Sequence, residues 1–259
     1  MKVLAINGTY RAEGTTTRLT RSLLEGAASL GAETEMVMLR DCRIEFCTNC
    51  LQCYRDKESA IGPCNIDDDV GMIVEKIRDA DGVVFASPVH NGFVTGIMST
   101  FVERISFRVS TSKRGVAGVM SLDSRLTSKT RAIASVCSAG GMPRRLAPLC
   151  NSGTKWLKSC LPLGLHGQWI GSYYADAMLP KKPETDEDWG NVFLLRELTQ
   201  EQLDRSRRLG VQVASSIKKG KLRAPRFEDE LGPVVLPIVR LVNYLLPPYH
   251  IAKREQELV

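Results

Sequence analysis

Short apolar runs alternate with amphipathic stretches along most of this chain, and that alternation limits its fold more than any single residue does. Val3 to Ile6 is the first apolar run. Thr15 to Leu30 follows with Leu19, Leu23, Leu24 and Ala27 on one helical face. Glu35 to Leu39 reads as a second strand, and Asp67 to Asp69 offer N-caps for a helix through Arg78 that carries Val70, Ile73, Val74 and Ile77. Gly82 to Ala86, Ala132 to Val136 and Leu165 to Ile170 are the remaining expected strands. Thr95 to Ile105, Ala147 to Cys160 and Thr199 to Lys218 are the remaining expected helices. Strand and helix in turn predict an α/β fold with a parallel sheet covered by helices on both faces.

Five strands in this pattern suit a doubly wound, flavodoxin-like order, in which ligands sit outside the carboxyl ends of the strands at the topological switch point. The loops after the first, third and fourth strands should then line a site. The first, Asn-Gly-Thr-Tyr-Arg-Ala-Glu-Gly-Thr-Thr-Thr, sets glycines and hydroxyls against a helix N-terminus, where free N–H groups and the helix dipole favour a phosphate. Thr9, Thr15, Thr16 and Thr17 would bond its oxygens and Arg11 would add charge. The second, Ser87-Pro88-Val89-His90-Asn91-Gly92, is a turn with free amides and one imidazole. The third, Cys137-Ser138-Ala139-Gly140-Gly141, offers small residues that let a flat ring approach the backbone. Together the three suit a flavin.

The second strand leads into an unusual run, Cys47-Thr-Asn-Cys50-Leu-Gln-Cys53, followed by Cys64. Two Cys-x-x-Cys steps that share a middle residue let one tight loop aim three thiolates at a common point, which a cubane iron-sulfur cluster requires. Structural zinc and metal-free thiols are the alternatives, although zinc sites more often pair two separate Cys-x-x-Cys elements. Cys42 competes for the fourth ligand position, because Cys42, Cys47 and Cys50 fit a Cys-x4-Cys-x2-Cys pattern. Cys64 is preferred. Cys137, Cys150 and Cys160 lie in apolar segments and read as small packing residues, or for Cys137 as a loop residue near a cofactor.

Composition removes several other classes. A chain of 259 residues that is 43% hydrophobic can bury one full core and carry an appendage. Its net charge of +6 is modest, and the basic residues are not interleaved with aromatics, so nucleic-acid binding has no support. No apolar stretch reaches the roughly 20 residues that span a bilayer. Met-Lys-Val-Leu-Ala-Ile-Asn-Gly runs straight into a strand without a signal-peptide core, so a reducing cytoplasm is expected.

The chain resembles the NADPH-dependent FMN reductase-like flavoproteins and, within them, the iron-sulfur flavoproteins. The likeness runs from Met1 to about Lys219 and rests on Asn7-Gly-Thr-Tyr-Arg11, on the cysteine run followed by Asp67-Asp68-Asp69, and on Asp81 to Val89 with Val102-Glu103-Arg104. It implies FMN held by its phosphate near Thr9, Arg11 and Thr15 to Thr17, a 4Fe-4S cluster on Cys47, Cys50, Cys53 and Cys64, and a homodimer or homotetramer. Two departures stand out. Ten residues separate Cys53 from Cys64, more than the family's usual few, and His90 stands where a Tyr is common.

The expected activity is an oxidoreductase passing electrons between a donor, NAD(P)H or ferredoxin, and a small anionic acceptor or substrate. His90 is a candidate proton donor, and Arg144 with Arg145 would grip carboxylates or phosphates. A dehydrogenase of a carboxylated cyclic metabolite, like 2-amino-4-deoxychorismate dehydrogenase, is an alternative. A non-catalytic electron carrier and a zinc-stabilised FMN or quinone reductase are others. Residues 1–221 form the expected FMN-binding domain, with the cluster loop at 42–66. Residues 222–259 form an apolar, proline-interrupted extension that reads as an arm packing on a neighbouring subunit.

Overall fold

In the computed structural model, residues 1–113, 121–141, 144–146, 151–192 and 194–226 are described, with positions 235, 237, 238 and 241 beyond them. The apolar runs form β1 (Lys2–Asn7), β2 (Glu33–Met38), β3 (Gly82–Pro88), β6 (Arg131–Gly140) and β7 (Gly167–Ala177). They pair in the order β2-β1-β3-β6-β7, every contact parallel. This is the expected five-stranded doubly wound sheet, and β1 and β3 diverge from its switch point. β1, β3 and β6 are buried along almost their whole length because helices cover both faces. Continuous apolar runs rather than alternation follow from that.

One face packs α3 (Val70–Asp79), α4 (Gly96–Val109) and α5 (Ser152–Gly164) through Ile73, Phe101 and Leu157 against Leu4, Ile6 and Phe85. The other packs α1 (Thr15–Ala28) and α7 (Gln200–Lys219) through Leu19, Leu23 and Val213 against Val3, Ala5 and Val84. Thr95 and Thr199 cap α4 and α7 with their hydroxyls, the latter in a full capping box with Gln202. A short α2 (Gln52–Arg55), a hairpin of β4 (Ser110–Lys113) and β5 (Ser121–Ser124), and α6 (Asp186–Gly190) complete the elements.

Several boundaries differ from the sequence expectation. β6 continues past Val136 to Gly140, since each added residue pairs with β7 as far as Gly140 opposite Ala177. Cys137, Ser138, Ala139 and Gly140 are therefore strand residues, and of the expected loop only Gly141, at φ +75°, follows the strand. β7 starts at Gly167 and reaches Ala177, because Leu165 and His166, the latter at φ +49°, close the preceding helix. That helix begins at Ser152 under an Asn151 cap. Residues 147–150, placed in it by the sequence reading and including Cys150, lie outside the described residues. Of the extension, positions 235, 237, 238 and 241 are helical with exposed side chains, and residues 227–234 and 242–259 lie outside the described set.

Candidate functional site

The loop after β1 is ordered by its own side chains. Buried Asn7 accepts the Thr9 N–H (3.0 Å) and donates to Thr17 Oγ1 (3.3 Å), while the Thr17 hydroxyl donates to Arg11 O (3.1 Å). Thr17 thus holds the loop rather than presenting its hydroxyl to a ligand. Thr15 and Thr16 behave differently, for their hydroxyls meet Ser138 Oγ at 3.1 and 2.7 Å. Hydroxyls from the first loop and from the end of β6 so converge at the start of α1. Gly14 caps that helix without a side-chain hydrogen bond, and the first turn holds no acidic residue. The donor set suits a phosphate: free helix N–H groups, neutral hydroxyls and the exposed Arg11 nearby.

The loop after β3 is tied to the same point. Val89 N–H donates to Ser138 O (2.7 Å), and Thr95 bridges the loops by donating to Gly8 O (2.7 Å) and to Ser87 Oγ (3.0 Å). Asn91 and Gly92 both have positive φ, 49° and 78°, so His90 and Phe93 face each other across a two-residue turn with paired backbone hydrogen bonds of 2.9 Å. His90 is exposed, its ring 6.1 Å from that of Tyr10. Pro88 pairs with Ser138 in the sheet. Cys137 is fully buried with Sγ 3.0 Å from Thr154 Oγ1, and burial pushes its thiol up, which makes it a packing residue.

Gly140 and Gly141 do admit a close approach, and Arg196 makes it. A Cβ on Gly140 would lie 2.6 Å from Arg196 Cδ and Nε, and one on Gly141 2.9 Å from its Nη2. Arg196 was not among the sequence candidates. Arg144 and Arg145 sit in a short turn, Arg144–Leu146, with Arg145 exposed and the Arg144 side chain outside the described residues.

The cysteine loop lies at the far end of α4. Cys47, Cys50, Cys53 and Cys64 line one cavity with Leu51, Arg104 and Phe107. Cys42 is absent from that lining: its Sγ donates to Met38 O (3.5 Å), it packs against the main core, and burial raises its pKa. Asn49 and Leu51 adopt left-handed φ of 51° and 59°. For a leucine this conformation costs about 1–2 kcal/mol, strain of the kind found where a loop must aim its side chains. The N–H of Gln52, at the start of α2, holds the Cys50 thiol below its usual range, and Asn49 N–H donates to Cys47 Sγ (3.4 Å). Burial raises the Cys53 thiol.

Three arginines brace this loop. Arg108 donates to Gly62 O (3.1 Å), and Arg125 donates to Cys53 O (3.0 Å), Ser59 O (2.7 Å) and Asp56 O. Arg104 and Asp68 form a buried pair at 2.6 Å beside Cys64. Burial alone would raise the Asp68 carboxyl, but Arg104 and the Glu45 N–H hold it below the usual range. None of these arginines was singled out from the sequence as a cluster partner, although Arg104 falls on the buried face of α4 between Phe101 and Ile105.

Among the described residues, no three His, Cys, Asp or Glu side chains converge tightly enough to hold one metal ion. Zinc would need four ligand atoms around a single centre. A cubane takes one thiolate per iron, so its ligands stand farther apart, around a shared cavity. Four thiols lining one cavity fit that demand. No helix among the described residues is long and apolar enough to cross a membrane.

Residues 1–158 match the family model described as NADPH-dependent FMN reductase. An iron-sulfur flavoprotein of Methanocaldococcus jannaschii is 38% identical over 104 residues, 40% of this chain and 51% of that protein. One from Archaeoglobus fulgidus is 35% identical over 104 residues, 40% of this chain and 48% of that protein. The chain spans about half the length of the curated relatives it matches. Among solved structures, a flavone reductase is similar with a TM-score of 0.56 at 22% identity, covering 84% of this chain and 63% of that one. That likeness speaks to the fold.

Proposed function

The chain belongs to the NADPH-dependent FMN reductase family, and on that premise we propose that it is an FMN- and 4Fe-4S-dependent oxidoreductase, passing electrons between NAD(P)H or ferredoxin and a small anionic acceptor. The observation that carries the reading is the lining of one cavity by Cys47, Cys50, Cys53 and Cys64 on a flavin-reductase fold. FMN exchanges electrons in pairs as hydride or singly, and an iron-sulfur cluster exchanges them singly, so the two together convert between carriers. Thr15, Thr16, Ser138 and the α1 N–H groups bind the phosphate. Asn7, Thr17 and Thr95 hold the loops in register. In this reading His90, exposed beside Tyr10, hands a proton to an acceptor, and Arg145 draws an anion toward the site.

Cys64 is the fourth cluster ligand in this reading. Cys42, facing the core with a raised pKa, is a packing residue. The seven described cysteines are all free thiols, which suits a reducing cytoplasm. The proposed assembly is a homodimer or homotetramer, with residues 222–259 as the arm between subunits; the exposed Val235, Ile238 and Leu241 support it.

The test is iron and acid-labile sulfide per FMN in protein purified without oxygen, for wild type and Cys47→Ser. About four of each per flavin in wild type, as a single cubane requires, with iron lost and FMN kept in the variant, is the expected result. Flavin with zinc or without metal, or full activity in an iron-free variant, would overturn it.

A further inference from the structure

Arg104 stands out on α4 because its guanidinium is shut away from water, with a side-chain exposure of 1%, against an Asp68 side chain at 0%. Its geometry is fully determined. Nη1 donates to Asp68 Oδ2 (2.6 Å) and Glu45 O (2.6 Å), and Nη2 donates to Asp68 Oδ1 (3.0 Å) and Cys64 Sγ (3.5 Å). Asp68 in turn accepts the N–H groups of Glu45 (3.0 Å) and Val70 (3.2 Å), so the carboxylate is fixed from three sides. A buried pair of this kind is weak evidence for stability, since desolvation offsets most of its attraction. A helix could be pinned to a loop more simply with apolar side chains. What the pair does achieve is a positive donor locked in direction on the sulfur of Cys64, in surroundings where little solvent screens it.

We propose that Arg104, oriented by Asp68, is a positioning residue that raises the reduction potential of the cluster through its hydrogen bond to Cys64. The proposal rests on the cluster reading given above. A donor to a ligand sulfur withdraws electron density from the iron-thiolate bond and favours the form carrying the extra electron. Arg108 and Arg125, by contrast, bind backbone carbonyls of the loop.

The experiment is a spectroscopically monitored redox titration of the full-length, cluster-loaded protein, with iron and sulfide assayed alongside. Arg104→Met combined with Asp68→Asn removes both buried charges together, leaving no lone ion in the core and keeping one carbonyl acceptor for either the Glu45 or the Val70 amide. Iron and sulfide per FMN should be unchanged, while the one-electron reduction constant falls roughly tenfold, a drop of about 59 mV. Arg104→Lys keeps a charge but not the fork, and its midpoint should fall by less. A residue that only braced the loop would change thermal stability and leave the midpoint where it was; wild-type midpoints in both variants overturn the proposal. Should the double variant lose its cluster, the Lys variant decides alone, an unchanged midpoint overturning the proposal and a lowered one supporting it. Wild-type protein with flavin but neither iron nor sulfide would instead bring down the cluster reading itself.

Discussion

The sharpest stability prediction concerns the crossing of α1 and α7, where Gly26 and Gly210 let two backbones touch. A Cβ on Gly210 would stand 1.8 Å from Leu23 O, and one on Gly26 would stand 2.1 Å from Arg207 O, against the 3.0 Å that real contacts respect. Both obstacles are backbone atoms, so no side-chain rotation relieves them. Gly210→Ala must part the helices by more than 1 Å. Helix propensity pulls the other way, favouring Ala over Gly by about 1 kcal/mol. Overpacking costs about 1–3 kcal/mol. The separation also stretches two interhelical hydrogen bonds, Ser206 Oγ to Leu19 O (2.7 Å) and Ser22 Oγ to Leu203 O (2.8 Å), each worth about 1 kcal/mol. The net expectation is a loss of about 2–4 kcal/mol, read from the urea midpoint at constant m. Gly26→Ala should behave alike, and the double variant should lose less than the sum, because one separation relieves both clashes. A Gly210→Ala protein as stable as wild type, or strictly additive losses, would refute the reasoning.

Arg125→Ala removes the donor to Cys53 O, Ser59 O and Asp56, so the insertion between Cys53 and Cys64 loses its brace; iron per FMN should fall severalfold while FMN stays bound, and unchanged iron retention would count against the brace. Stability should decline with pH in two stages. Burial and the nearby Arg131 guanidinium hold the His166 imidazole below its ordinary range, so below about pH 6.5 the unfolded chain takes up the proton first and stability drops until the folded pKa is passed. Asp68 and Asp81, both held low in spite of burial, stabilise the fold above about pH 4 and cease to do so as pH falls through their folded pKa values. Urea midpoints from pH 8 to pH 3 test this, and His166→Gln should abolish only the upper stage. Truncation after Ala224 should lower the oligomer order seen by light scattering, and an unchanged number of subunits would defeat the arm.

What could be read from the sequence follows from how local each signal is. Buried parallel strands declare themselves as unbroken apolar runs, so β1 and β3 were placed nearly to the residue. Thr95 and Thr199 marked helix starts because a cap is a contact between close neighbours, whereas Asp69 stands at the start of α3 without a side-chain cap hydrogen bond, its carboxylate accepting the Arg43 N–H instead. The end of β6 was misread, since Cys-Ser-Ala-Gly has the composition of a turn and only its pairing with β7, distant in sequence, keeps it extended. The β4–β5 hairpin left no trace: Ser110–Lys113 and Ser121–Ser124 lack apolar alternation, and the pair is held by docking on the cluster loop, as where Lys57 donates to Ser112 Oγ (2.6 Å). The cysteine spacing was legible as thiols gathered around one cavity. The arginines around it were not, because Arg104, Arg108 and Arg125 reach that loop from 36 or more positions away and look from the sequence like ordinary charges.

The two halves of the site are joined by one element. α4 starts at the flavin side, where Thr95 holds Gly8 and Ser87 and the Ile97 N–H donates to Tyr10 Oη (3.2 Å). It ends at the cysteine loop, where Arg104, Phe107 and Arg108 contribute to the cavity. Its inner face, Met98, Phe101, Val102 and Ile105, is buried in the core throughout. At 1.5 Å per residue, the rise from Thr95 to Arg104 is about 14 Å. The helix therefore fixes the loop after β1 and the cysteine loop at a set spacing within the chain, and neither can shift along it without repacking the core. On the cluster reading this leaves room for the longer insertion between Cys53 and Cys64: both ends are anchored, and the insertion only has to loop outward between them, with Arg125 closing it.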